Sequence, residues 1–204
     1  MFLGNASTAR IRAAMRAGAL GQLVTPGEGR LPIPGVPYGA DNGCYSGAYP
    51  GDQAWISWVR RLPTDNALFV ACPDVLHHHP DGTIVGDAAA TLERSGPWLA
   101  EVRAAGKPAA LVAQDGLEDL DVPWAELDAL FLGGSVDWKL GPAAMELALE
   151  AVSRGKWLHV GKVNSRRRFL RFELAGAGSA DGTTLAIAPD KNLAEVIGWQ
   201  STLI

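Results

Sequence analysis

The sequence predicts an α/β fold, a compact (βα)8-like TIM barrel, on three observations. Short apolar runs rich in Val, Leu and Phe recur along the chain, each ending in a polar residue or a glycine. Most are followed by a helical pattern, the alternation that marks β/α units and a buried parallel sheet. The chain has 204 residues, 48% of them hydrophobic, so one domain over residues 1–204 with one substantial core is expected. Barrels of this kind typically run to about 250 residues, which requires several helices to be short or missing. An open doubly wound sheet is the competing arrangement.

Taken in order, strands are expected at Phe2–Gly4, Gln22–Val24, Tyr38–Ala40, Ala67–Ala71, Ala109–Ala113, Ala129–Leu132 and Trp157–Val160, with a weak last one at Gly178–Ala180. Helices are expected at Ser7–Ala17, opened by a serine cap, and at Asp52–Arg61, Gly86–Ala105, Gly141–Ser153 and Ser165–Ala175. Gly155 and Gly176 stand just past the ends of the last two, where a left-handed residue closes a helix. "PGEGRLPIPGVP", between Pro26 and Pro37, is too irregular for a helix and replaces one.

The net charge of −4 gives no overall attraction to nucleic acid or acidic membranes, so any such partner needs a local basic patch. Cys44 and Cys72 form no CxxC pair, which argues for a reducing, cytoplasmic setting and against a cysteine-based zinc site. The opening "MFLGNASTARIRAAMRAG" reads as neither signal peptide nor membrane span, and a soluble protein is expected.

Barrel active sites are assembled at the C-terminal ends of the strands. Here those ends are polar: Asn5, Thr25, Asp41 with Asn42, Asp74, Gln114, Gly133 with Gly134, Lys162 with Asn164, and Asp181. Asp and Asn at single positions also make Asx-turns and helix caps, and that reading stays open for Asp41, Asp74 and Asp181. Three carboxylates, an amide and a bare glycine backbone, with Trp138 and Tyr45 near the rim, suit a flat heterocycle hydrogen-bonded at its edge.

These residues resemble a known family, the tRNA-guanine transglycosylases, and within it the branch of deazapurine DNA modification proteins that insert 7-deazaguanine into DNA of bacteria and phages. The likeness runs from "ADNGCYSG" to "SADGTTLA", about two thirds of the chain. "ADNG" is similar to the family's Asp-Ser-Gly-Gly turn, which implies Asp41 as catalytic acid/base, with Asn42 in place of the serine. "CPDV" and "VAQDG" imply Asp74 and Gln114 as contacts to the base edge. "FLGGSVDWKLG" implies a backbone surface at Gly133 and Gly134, and "AGAGSADGTTLA" implies Asp181 as nucleophile. The tRNA enzymes carry a C-terminal Cys/His zinc cluster that this sequence lacks, and "HVGKVNSRRR" is similar to the DNA-modifying branch. The resemblance therefore implies DNA and a free 7-deazaguanine base as partners, with tRNA less favoured, accessory proteins allowed, and no metal or other cofactor.

The chemistry needs those residue types. Swapping a base on an intact polymer requires a carboxylate to hold C1′ covalently while one purine leaves and another arrives, so that two inversions give retention. A second carboxyl group must protonate the leaving base. Acceptors at Asp74 and Gln114 match the N1–H and 2-amino donors of a guanine, and a glycine backbone N–H can approach O6 closely. The basic stretch "KVNSRRRFLR" offers Lys162, Arg166, Arg167 and Arg168 to a nucleic-acid backbone, with a solvated helix face as the alternative. His77–His79 lack partners at metal spacing and read as a surface loop near the entrance. Competing readings are a hydrolase that releases a deazapurine from a nucleoside or nucleotide for salvage, and a barrel that binds without turnover.

Overall fold

The computed structural model describes residues 1–29 and 31–200. Its elements are β1 (Phe2–Gly4), α1 (Ala9–Arg16), β2 (Gly21–Val24), β3 (Tyr38–Ala40), α2 (Asp52–Arg61), β4 (Ala67–Ala71), β5 (Leu76–His78), β6 (Ile84–Gly86) and α3 (Ala88–Ala104). The second half holds β7 (Ala109–Ala113), β8 (Ala129–Leu132), α4 (Val136–Leu140), α5 (Pro142–Ser153), β9 (Trp157–Val160), α6 (Arg166–Leu174), β10 (Ser179–Asp181), α7 (Thr184–Ile187) and α8 (Pro189–Gln200). Eight strands close into a barrel in the order β1-β10-β9-β8-β7-β4-β3-β2, and every neighbouring pair is parallel. Closure leaves the barrel without an edge strand, because β1 pairs with both β2 and β10.

The barrel economises on helices. Among the described residues, the connection from β2 to β3 holds only a 3-10 turn at Pro26–Glu28, and that from β7 to β8 only another at Leu117–Asp119. The Pro- and Gly-rich loop thus stands where a helix would otherwise be, as expected.

Local chemistry sets most boundaries. Thr8 rather than Ser7 caps α1, its side chain accepting from the Ile11 N–H at 3.2 Å. Asp87 caps α3 through the Ala90 N–H, so that helix begins after Gly86, which belongs to β6. β5 and β6 form an antiparallel hairpin between β4 and α3 that the pattern of apolar runs does not anticipate. Its tip is an Asp81–Gly82 turn, with Gly82 at φ 84° and the Thr83 N–H donating to Asp81 at 2.9 Å. α4, α7 and α8 are likewise additions to the expected elements.

Alternation along the strands divides the core in two. Leu3, Phe69, Ala71, Ala110, Val112, Ala129 and Phe131 fill the barrel interior. Residues of opposite parity, such as Phe2, Val70, Leu111 and Leu130, face the helices. Phe2 packs edge-on against Trp199 of α8. The interior has room for Phe69 only because Gly39 faces it: a Cβ there would stand 2.3 Å from the Phe69 ring. Large side chains opposite glycines are how so small a barrel fills its interior without strain.

Candidate active site

Six of the eight strand ends build one pocket of about 220 Å³ at the C-terminal rim. Asp41 follows β3, Asp74 follows β4, Gln114 follows β7, Gly133 and Gly134 follow β8, Gly161 and Lys162 follow β9, and Asp181 ends β10. All seven residues expected for catalysis or base contact line it: Asp41, Asn42, Asp74, Gln114, Gly133, Gly134 and Asp181. Lys162 lines it too, whereas Arg166, Arg167 and Arg168 do not. Asn5 and Thr25 also lie outside it, and the buried Asn5 Oδ1 has no hydrogen-bond partner among the described residues.

Asp41 makes the Asx-turn that its sequence allows, Oδ1 accepting from the Gly43 N–H at 2.7 Å. Turn and pocket coexist. Burial pushes its carboxyl up to about 7, opposed by that hydrogen bond and reinforced by the nearby charges of Asp181 and Asp74. The sequence around it suggests a carboxylate that reaches a ligand, and Asp41 is half-buried at the pocket wall, where partial removal from water raises its pKa.

Asp74 is the centre of a donor network. The Asn42 amide donates to its Oδ1 at 3.0 Å, the Gln114 amide to its Oδ2 at 2.6 Å, and the Cys44 thiol also hydrogen-bonds the carboxylate. Burial raises its pKa while these donors pull it down, with burial dominant. It does not cap α3. Asn42, 4% exposed, is committed to the protein: Nδ2 also donates to the Cys72 carbonyl at 2.8 Å, and Oδ1 accepts from the Cys44 N–H at 2.8 Å. Its part is to hold Asp74. With its nitrogen on Asp74, Gln114 turns Oε1 toward Gly86 and keeps it as an acceptor.

The glycine surface differs from expectation. The Gly133 and Gly134 N–H groups both donate to the Ala113 carbonyl, at 2.9 and 3.0 Å, so neither points a donor at a ligand. They give a bare wall. A Cβ on Gly134 would meet Asp115 at 2.3 Å and Trp138 at 2.6 Å. Trp138 therefore packs behind that wall, with its indole N–H on Glu118, and does not line the pocket. Tyr45 does line it, but Lys162 Nζ sits over its ring, 3.6 Å from the centroid. The apolar surfaces open to a flat ligand come from Val112 and Phe131 below and from Leu76, Ile84 and Val85 of the hairpin.

Three further residues shape the site without any motif to announce them. Lys139 of α4, 3% exposed, donates to the Gly161 carbonyl at 2.5 Å and ties the loop after β9 to the loop after β8. Burial lowers its amine to about 8, helped by the like charge of Lys162. His159 and Ser179 lie inside the barrel under Asp181, with His159 Nε2 3.1 Å from Asp181 Oδ1. The sequence signal for them is position alone: Ser179 stands two residues before Asp181, on the same face of β10, and His159 is its register partner on β9. Lys162 itself adopts a left-handed backbone at φ 60°, unusual for a side chain of its length.

His77 and His78 are exposed on β5, and among the described residues no three of His, Cys, Asp or Glu form a metal-binding group. Cys44 and Cys72 are free thiols, and burial pushes that of Cys44 up to about 12. No helix among the described residues is long and apolar enough to cross a membrane.

No family model matches the chain, and no curated protein matches it. Among solved structures it is similar to "Klebsiella pneumoniae BlrP1 pH 8.0 calcium/cy-diGMP complex", at 11% identity and a TM-score of 0.35. That match covers 84% of this chain and 43% of the other.

Proposed function

We propose that the protein is a transglycosylase that exchanges guanine in DNA for a 7-deazaguanine base through a covalent bond between Asp181 and deoxyribose. The observation that carries the reading is that Asp41 and Asp181 share one rim pocket with the Asp74–Gln114 pair. Asp181 attacks C1′ as the C1′–N bond to guanine breaks, and the departing purine takes a proton from Asp41. A carboxyl group with a pKa of about 7 exists in both forms at neutral pH, so Asp41 can give that proton and recover one from the incoming base. The incoming nitrogen then attacks C1′ and releases Asp181. Asp74 and the Gln114 oxygen accept from the N1–H and 2-amino group of the purine, and the Gly133–Gly134 backbone forms the wall against which the ring lies.

A salvage hydrolase is the second reading, and one observation favours it: the pocket lining carries Asp41, Asp74, Asp115 and Asp181 against a single cation, Lys162. So acidic a lining does not attract phosphates unaided; the arginines of α6 lie outside it and must hold the polymer. In that reading water takes the place of the incoming base.

The two separate in one experiment. A guanine-containing oligonucleotide incubated with isotopically labelled 7-deazaguanine should gain label without losing chain length or forming abasic sites. Release of base from free deoxynucleosides, with no label entering the oligonucleotide, would establish the hydrolase instead.

A further inference from the structure

We infer that Trp157, Ser179 and His159 form a hydrogen-bonded relay through the barrel interior that fixes the tautomer of His159 and thereby the position of the Asp181 carboxylate. The inference deepens the proposed function, because it rests on Asp181 being the reacting carboxylate.

The geometry is a chain of three contacts. The Trp157 Nε1–H donates to Ser179 Oγ at 2.9 Å, Ser179 Oγ lies 2.8 Å from His159 Nδ1, and His159 Nε2 lies 3.1 Å from Asp181 Oδ1. An indole nitrogen can only donate, so the serine oxygen accepts from Trp157, which leaves its proton and one lone pair for the imidazole. The carboxylate end sets the direction: a bare Nε2 would place its lone pair against those of an Asp181 oxygen at 3.1 Å, so Nε2 carries the hydrogen. In a neutral ring Nδ1 is then the acceptor, and Ser179 Oγ donates to it. A doubly protonated ring is disfavoured by its surroundings. His159 is 0% exposed, with Phe69 and Phe131 at centroid distances of 4.5 and 4.4 Å, and burial lowers its pKa.

The rings that exclude water also immobilise the imidazole, so the Nε2–H has one direction in which to donate. His159 is a positioning residue. It touches Asp181 and does not line the pocket. A nucleophile in a rim pocket otherwise has free rotation about its side-chain bonds, and a misplacement of about 1 Å can lower a rate about 10²-fold.

The test has a spectroscopic arm and a kinetic arm. In long-range 1H–15N spectra of 15N-histidine protein, the His159 ring, assigned by its absence in His159→Gln, should show a protonated Nε2 and a bare Nδ1. That Nε2–H resonance should shift in Asp181→Asn, and Ser179→Ala should let the Nδ1–H form appear. In base exchange, His159→Leu should lower kcat about 10²-fold with KM unchanged, and His159→Gln, whose amide still donates, should recover part of the loss. An Nδ1–H or doubly protonated ring in the parent protein, or an unchanged kcat in both His159→Leu and Ser179→Ala, overturns the relay. Absence of any base exchange by the parent protein overturns the transglycosylase reading instead, while the spectra still decide the relay.

Discussion

A carboxylic acid whose pKa lies near the working pH is suited to a purine that needs a proton on departure, because both forms are present throughout turnover. Asp41 meets that condition by burial first and by the charges of Asp181 and Asp74 second. Asp41→Asn should therefore slow base exchange by about 10²–10⁴-fold, the usual contribution of general acid–base catalysis. The same burial has a signature in stability. The folded-state pKa of about 7 lies above the ordinary 3.8, so the native protein holds this proton across that window and the unfolded chain does not. Stability contributed by Asp41 is thus lost as pH rises from about 4 to 7. Thermal melts of parent and Asp41→Asn should diverge in favour of the variant over that range and run parallel above it. Melts that stay parallel throughout would show that the carboxyl pKa is not raised in the folded protein. The turn sequence "ADNG" reveals a carboxylate at a strand end but not this raised pKa, which depends on folding and on the charges of Asp74 and Asp181, both distant in sequence.

At the scale of elements, the strands are legible because each is a short apolar run with a polar stop, and the eight runs fall where the barrel strands lie. The hairpin is not, because β5 reads Leu-His-His and looks like loop; the Asp81–Gly82 pair is the available signal. α8 likewise opens with Pro189, a first-turn residue, followed by a pattern that buries Leu193, Val196 and Trp199. The roles of Gly133 and Gly134 depend on where their N–H groups point, which only the register between β7 and β8 determines. One element-scale prediction concerns α6, which opens with Arg166, Arg167 and Arg168 behind a Ser165 cap. Replacing all three arginines by alanine should weaken DNA binding across sequences and flatten the salt dependence of affinity by roughly one unit for each phosphate no longer neutralised. Fluorescence anisotropy at several salt concentrations measures both, and an unchanged slope would return these arginines to the solvated helix face.

Over the whole molecule, closure of the barrel is what gathers residues from Asp41 to Asp181 into one pocket. Strand count and polar strand ends are written in the sequence; the interior packing that makes closure possible is not. Gly39 is the test of that packing, since Gly39→Ala drives a Cβ into Phe69. Overpacking of this kind destabilises by about 1–3 kcal/mol, measurable by urea unfolding, and Phe69→Leu in the same chain should restore part of it. Equal stability of Gly39→Ala and parent would contradict the interior as described.

A covalent bond between Asp181 and the sugar would be visible by peptide mapping. Protein mixed with a guanine-containing oligonucleotide, quenched in denaturant before the incoming base is added, should carry a nucleic-acid adduct on the peptide containing Asp181. Asp181→Asn should carry none, and adding 7-deazaguanine before the quench should discharge the adduct from the parent protein. An adduct on Asp41, or base exchange that proceeds undiminished in Asp181→Asn, would contradict the account.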